Sequence, residues 1–351
     1  MDHPGFEARR MVGRRRVLAD WLGWVHPDYF VGTKVRFFSE GRWVYGVIRS
    51  MQVAMIRGRR RPKTVQVDVR GEVLPGSLGM WDLPDPVIRN GKVIARGCDD
   101  VAGVAAILAA MERLSRSTHT ESLKSHRRDA GATAMHPETL KSHRRDAGAT
   151  GDSGGGANRK QPDVMALLTR AEEIGFAGAI AACRAGTIPR NARVVAVETS
   201  SEIPGVRMGA GPILRVGDQM ATFSPGLTGF AGLVAADLAK KDSTFQWQRK
   251  LMDGGTCEST VYHAEGYDAT GLCIALGNYH NMDTRRKRIA SEYIHLADWD
   301  GLVKWFVALA TTRRPHDAYW QEVDAMVARL ERVQRPQLNR TAGRVRGRAN
   351  Q

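Results

Sequence analysis

Six side chains of types that bind hard cations or move protons stand near the ends of strand-like runs. Asp99-Asp100 follows GKVIARGC and opens a helical pattern, and Glu172-Glu173 follows MALLTR and precedes Gly175. Glu198 comes directly after VVAV, and His280 comes shortly after LCIAL. In open α/β sheets, ligands bind outside the carboxyl ends of strands. Carboxylates mixed with an imidazole suit zinc or a similar divalent ion. Each element also has a structural use: paired acids at a helix start cap it and answer its dipole. The order of the whole set, rather than any one member, points to a metal site.

The surrounding pattern supplies elements to position them. Val31–Phe38, Trp43–Ile48, Met51–Ile56 and Thr64–Val69 are short and rich in Val, Ile and aromatics, which predicts strands of a small barrel or sandwich, with Arg57–Lys63 as a turn. From Gly91 strands and helices alternate. Helical patterns cover Asp100–Leu114, Gly175–Arg184, Gly229–Lys240, Cys257–Ala264, Ala297–Thr311 and His316–Val333. Strand patterns cover Val164–Thr169, Val194–Val197, Thr244–Gln248 and Gly271–Leu276. Alternation of this kind predicts an α/β layer architecture.

The chain has 351 residues, 42% hydrophobic and 25% charged, which allows a real core and excludes a wholly disordered chain, collagen or a disulfide scaffold. Its four cysteines lack any CxxC spacing, so a reducing cytoplasm is expected, and no apolar run reaches the roughly 18 residues of a membrane span. The net charge of +15 sits in Arg57–Lys63, in Ser115–Lys160 and in the tail from Arg332; the remainder balances. Solvated segments account for such charge, and nucleic acid is not expected as a partner. ESLKSHRRDAGAT at Glu121–Thr133 recurs almost unchanged at Glu138–Thr150, and a Gly/Ser stretch follows. Residues 115–161 therefore read as a low-complexity insertion, dispensable for folding. GDSGGG lacks a phosphate loop's Gly-Lys-Ser/Thr ending, and GAGPILRVG lacks dinucleotide-loop glycine spacing.

The ordered motifs resemble the dinuclear zinc aminopeptidases of the glutamyl-aminopeptidase or tetrahedral-aminopeptidase family, formerly also described as cellulases. Asp2-His3-Pro4-Gly5-Phe6 is similar to that family's H-x-D-E-x-G-F, and Asp99-Asp100-Val101-Ala102-Gly103 to its D-D-R-x-G. Thr169-Arg170-Ala171-Glu172-Glu173-Ile174-Gly175 resembles T-x-Q-E-E-x-G, Gly254-Gly255-Thr256-Cys257 resembles G-G-T-D, and Asn278-Tyr279-His280 resembles R-Y-x-H. The resemblance implies a mixed sheet with helices on both faces (residues 1–8 and 89–330) and a small inserted β-barrel (9–88), besides the insertion (115–161) and a basic tail (332–351). It implies two divalent metal ions, zinc first and cobalt as the alternative. Asp99 would bridge them, Glu173 and His280 would complete one site, and Glu198 would serve the other. Glu172 would be the general base, Asp100 would support the ligands from behind, and Asp2 would orient a His.

That His would stand immediately before Met1, so Met1 is expected to be internal to a longer protein, or else the chain to be a truncated remnant in which one ion is held more tightly than the other. Glu198 stands where the family has Asp, Cys257 replaces another Asp, Val101 replaces Arg and Ala171 replaces Gln. His295, in Glu292-Tyr293-Ile294-His295, competes with His280 as ligand; His280 follows its strand at the better distance, and Glu292 and Asp298 then match acids that follow the family's His. The expected activity is removal of N-terminal residues from peptides by a metal-dependent aminopeptidase, in a cytoplasmic homo-oligomer. A related metal-dependent deacylase, or a catalytically impaired member lacking the first His, are the alternatives.

Overall fold

Alternation of core and surface residues, broken at a few register shifts, builds the amino-terminal part. In the computed structural model, which describes residues 5–348 apart from 24, 57 and 132–162, six strands close into a barrel in the order β1-β2-β5-β4-β3-β6. They are β1 (Gly5–Met11), β2 (Arg16–Leu22), β3 (Lys34–Ser39), β4 (Arg42–Ile56), β5 (Arg59–Val69) and β6 (Leu78–Trp81). The inward rings of Phe6, Trp21, Phe30, Phe37 and Trp81 fill it, with Phe6 and Trp21 centroids 4.8 Å apart. Such rings bury large area and prefer tilted or edge contacts.

The barrel departs from the sequence expectation in three ways. Gly5–Ala8, expected in the other half, begin β1, because Phe6 belongs to the barrel core. Trp43–Ile48 and Met51–Ile56 are one 15-residue strand, joined through a register shift between Ile48 and Ser50. Most of the expected Arg57–Lys63 turn is strand: Arg59 already pairs with Ile56.

The second half is a seven-stranded sheet between helices. Its path is β11-β10-β12-β15-β8-β7, with β9 also paired to β12. The strands are β7 (Val87–Arg89), β8 (Lys92–Ala95), β9 (Arg193–Ser201), β10 (Ile213–Gly217), β11 (Gln248–Leu251), β12 (Asp268–Gly277) and β15 (Glu292–His295); a two-strand hairpin, β13 (Met282–Asp283) and β14 (Arg288–Ile289), lies between β12 and β15. The helices are α1 (Cys98–Gly131), α2 (Ala177–Arg184), α3 (Pro225–Lys241), α4 (Glu258–Ala264), α5 (Leu296–Thr311) and α6 (Ala318–Arg348). β12 is buried along nearly its whole length, and Leu272, Ile274 and Leu276 join α1, α3 and α5 in the main core around Trp305. β9 runs parallel to β12, and two antiparallel steps through β15 make β8 parallel to it as well. The carboxyl ends of β8, β9 and β12 therefore share one edge.

Val164–Thr169 is not the buried strand its apolar residues predict. It pairs with no strand, and Met165 and Leu168 are half exposed, because a short apolar run carries no period that distinguishes strand from loop. The strand expected at Thr244–Gln248 starts only at Gln248. Most of the repeat-containing insertion lies outside the described residues, as do Asp2 and His3.

Candidate metal centre

Three loops at the shared edge bring Asp99, Glu173 and His280 together. One ligand atom from each lies within 4.8 Å of the others. His280 Nε2 is 3.7 Å from Asp99 Oδ2 and 3.5 Å from Glu173 Oε2. Ligands about 2.0–2.2 Å from a zinc ion stand at such separations from one another. All three side chains are nearly buried.

Local chemistry explains how the loops are held. Asp99 follows β8, and Thr199 on β9 donates its hydroxyl to Asp99 Oδ1 at 2.9 Å. Asp100 Oδ1 accepts the Gly103 N–H at 3.0 Å, capping α1. His280 sits in a tight turn after β12 in which Asn278, His280 and Asn281 all have positive φ. Non-glycine residues in that region are costly and persist where the surroundings enforce them. Here Tyr279 stacks on the imidazole at 3.9 Å, and the Asn281 amide donates to Arg96 O at 2.8 Å and to Ala290 O at 3.2 Å.

Glu292, fully buried on β15, ties these loops to each other. Its carboxyl accepts the Asp99 N–H at 3.1 Å and the Asn281 N–H at 3.2 Å, so one side chain fixes the backbone beside two of the three cluster members. Asp298, at the start of α5, accepts from Gly209 N and Gly211 N at 2.7 and 2.8 Å. His295 stands apart from the cluster: its Nδ1 caps α5 by accepting the Ala297 N–H at 3.3 Å.

Glu172 and Glu198 lie close enough to the cluster for charges to act between them: Glu198 on Asp99, and Glu173 on Glu172. Glu172, on the turn before α2, is held protonated up to about 9 by burial and by the charges of Glu198, Glu173, Glu258 and Asp100. Glu198 lies inside β9 rather than at its end, since β9 runs on to Ser201. It is paired with Arg215 of β10, whose guanidinium also donates to Ser200 Oγ at 3.2 Å. The arginine reaches it across β12 at Gly271, where a Cβ would stand 3.3 Å from its Cδ. Sequence reading missed Arg215, because it weighs GAGPILRVG only for its glycine spacing. It also missed Glu258, whose carboxylate accepts from Thr169 Oγ1 at 2.6 Å and from the Tyr262 hydroxyl at 3.3 Å.

The donor set fits a divalent cation. Burial, followed by the charges of Glu173, Glu292, Asp100 and Glu198, raises Asp99 well above the usual carboxylate range. Burial and Glu198 do the same to Asp100. Buried acids this close cannot all ionise unless opposite charge joins them.

This architecture, a closed barrel followed by an α/β sheet, is a known one. No protein-family model matches the chain, and no curated protein does. Solved structures match along most of its length. A TET aminopeptidase from a marine sediment archaeon of the Thaumarchaeota is 18% identical, with 90% of this chain and 81% of that chain covered at a TM-score of 0.61. An aminopeptidase from the archaeon Desulfurococcus kamchatkensis is 17% identical, with 91% and 79% covered and a TM-score of 0.61. The TET1 peptidase of Pyrococcus horikoshii, which can assemble into a tetrahedron or a large octahedral shell, is 17% identical, with 88% and 81% covered and a TM-score of 0.57. The chain thus has the TET-aminopeptidase fold.

Proposed function

We propose that this chain is a metal-dependent aminopeptidase that releases N-terminal residues from peptides. The observation that carries the reading is the convergence of Asp99, Glu173 and His280 on one point of a TET-aminopeptidase fold. A divalent ion held there, zinc or cobalt, supplies a Lewis acid and lowers the pKa of water towards about 7. Glu172, next in sequence to a ligand but outside the ligand set, takes a proton during hydrolysis. Its elevated proton affinity falls once positive charge enters the pocket, which frees the carboxylate for that role. Asp100 holds the start of α1 from behind Asp99. A second, more weakly held ion would draw on Asp99 and on the Glu198 oxygen not engaged by Arg215. Asp2 would orient a further ligand.

The TET1 peptidase's assembly into closed shells supports self-assembly of this chain too. Among the described residues no helix is long and apolar enough to cross a membrane, and the four cysteines are buried and unbridged, in keeping with a cytoplasmic site of action. The test is metal analysis together with a panel of aminoacyl-nitroanilides, each with and without an N-acetyl group. Bound zinc or cobalt and cleavage that requires the free amine support the reading. Release of acetate from the acetylated compounds, with no nitroaniline freed from either series, makes the chain a deacylase, and full metal loading without turnover makes it an impaired member.

A further inference from the structure

The outer face of the barrel carries chemistry that the hydrolytic site does not use. On β3 and β4 the surface positions alternate strictly with the core, and register sets Phe38 opposite Trp43, Arg36 opposite Tyr45 and Lys34 opposite Val47. Phe38, Trp43 and Tyr45 are 49%, 37% and 45% exposed. The Phe38 and Trp43 ring centroids are 5.1 Å apart, and the Arg36 guanidinium lies 4.7 Å over the Trp43 ring. Beside these rings a cleft of about 710 Å³ opens between β2, β4 and β5. Arg15, Arg16, Arg49 and Arg70 stand in its wall with one carboxylate, Asp68, which is already engaged by Arg16 at 2.8 Å. Tyr45, Val47 and Arg49 are successive exposed positions of β4, and the last two line the cleft, so the rings and the cleft share that strand's outer face.

In sequence the excess charge sits in a hairpin, an insertion and a tail. Folding nonetheless gathers Arg15, Arg49 and Arg70 from three separate segments into this cleft. From Gly5 to Trp81 the chain holds fifteen Lys and Arg against six Asp and Glu. A predominantly basic face, with Asp68 and Asp82 already facing Arg16 and Arg36, selects an anionic ligand. Exposed rings interleaved with guanidinium groups favour one that offers flat unpaired bases as well as phosphates. We propose that this face binds single-stranded nucleic acid, with phosphates in the arginine cleft and bases stacked on Phe38, Trp43 and Tyr45. The site is separate from the metal centre and does not rest on the peptidase reading.

The test uses the full chain and a fluorescein-labelled thymidine oligomer of about twelve nucleotides, within the usual span of one small barrel. Anisotropy at low salt should show saturable binding that weakens with salt at a log–log slope of about −2, for about three neutralised phosphates. The paired variant W43A/Y45A should lose affinity by about tenfold or more, as removal of stacked rings does. R49E/R70E should lose it as well, and this second pair decides the matter if the first misfolds. Replacing the tail arginines 344, 346 and 348 with serine should leave binding in place. Absence of binding, loss with the tail variant alone, or equal competition by polyglutamate would overturn the proposal. A change in oligomeric mass rather than in oligonucleotide affinity on W43A/Y45A would assign the face to contacts between copies instead.

Discussion

Glu292→Gln removes one oxygen from the side chain that stitches the Asp99 and His280 loops together. In the native protein both carboxyl oxygens accept backbone N–H groups, from Asp99 and from Asn281, at 3.1 and 3.2 Å. The amide keeps one acceptor and turns an NH₂ group towards the other N–H. A hydrogen bond to a charged group contributes about 1.5–3 kcal/mol, and an orphaned buried donor costs about 1–3 kcal/mol. Opposing this, the substitution removes one of the charges that raise Asp99. The net expectation is a loss of about 2 kcal/mol of stability in chelated protein. Groups that orient metal ligands typically affect affinity about 10–100-fold when lost, so zinc binding should weaken by that factor. Urea melts with chelator present read the first quantity and isothermal titration with zinc reads the second. Unchanged values in both would show that Glu292 does not hold these loops.

Glu172→Gln should cut turnover by about 10²–10⁴-fold with metal content intact, whereas Glu173→Gln should lower metal content; near-normal turnover of the first variant would move the base elsewhere. His295→Ala removes a helix cap, so it should cost about 0.5–2 kcal/mol in thermal melts and leave metal content unchanged; loss of the ion would make His295 a ligand. Glu172 keeps its proton to about 9 in the folded metal-free chain, against an ordinary value of 4.5. Its contribution to stability is therefore whole below about pH 4.5 and declines as pH rises towards about 9. The melting-temperature gap between zinc-loaded and chelated protein should widen between about pH 6 and about pH 8.5 by fluorimetry, and a constant gap would contradict that linkage.

Ligand types were legible at Asp99, Glu173 and His280 because carboxylate and imidazole at strand ends have few uses in common. Their convergence depended on β8 and β12 running parallel, which hydrophobic pattern alone does not state. The pairing of Glu198 was hidden: Arg215 lies in an apolar strand, and its reach across Gly271 is a property of register rather than of sequence distance. β1 and β2 were unread because arginines at Arg9, Arg10 and Arg14–Arg16 mask the buried alternation of Phe6, Ala8, Val17 and Ala19. The helical pattern at His316–Val333 was right about helix, as α6 shows, but its apolar residues do not mark a core: Met326, Val327 and Leu330 are about half exposed.

Arg215 also bears on the order in which the protein is assembled. Its guanidinium, almost wholly buried and kept charged by Glu198, belongs to the chain itself and meets that partner once β9 and β10 have both paired with β12. The acidic pocket thus holds a permanent counter-charge before any ion arrives. If the chain is the metalloenzyme proposed, folding and metal acquisition would be separate events, the first directed by strand register and the second by supply of the ion. On that reading, exchange of one metal for another would proceed on the folded protein, without passage through the unfolded chain.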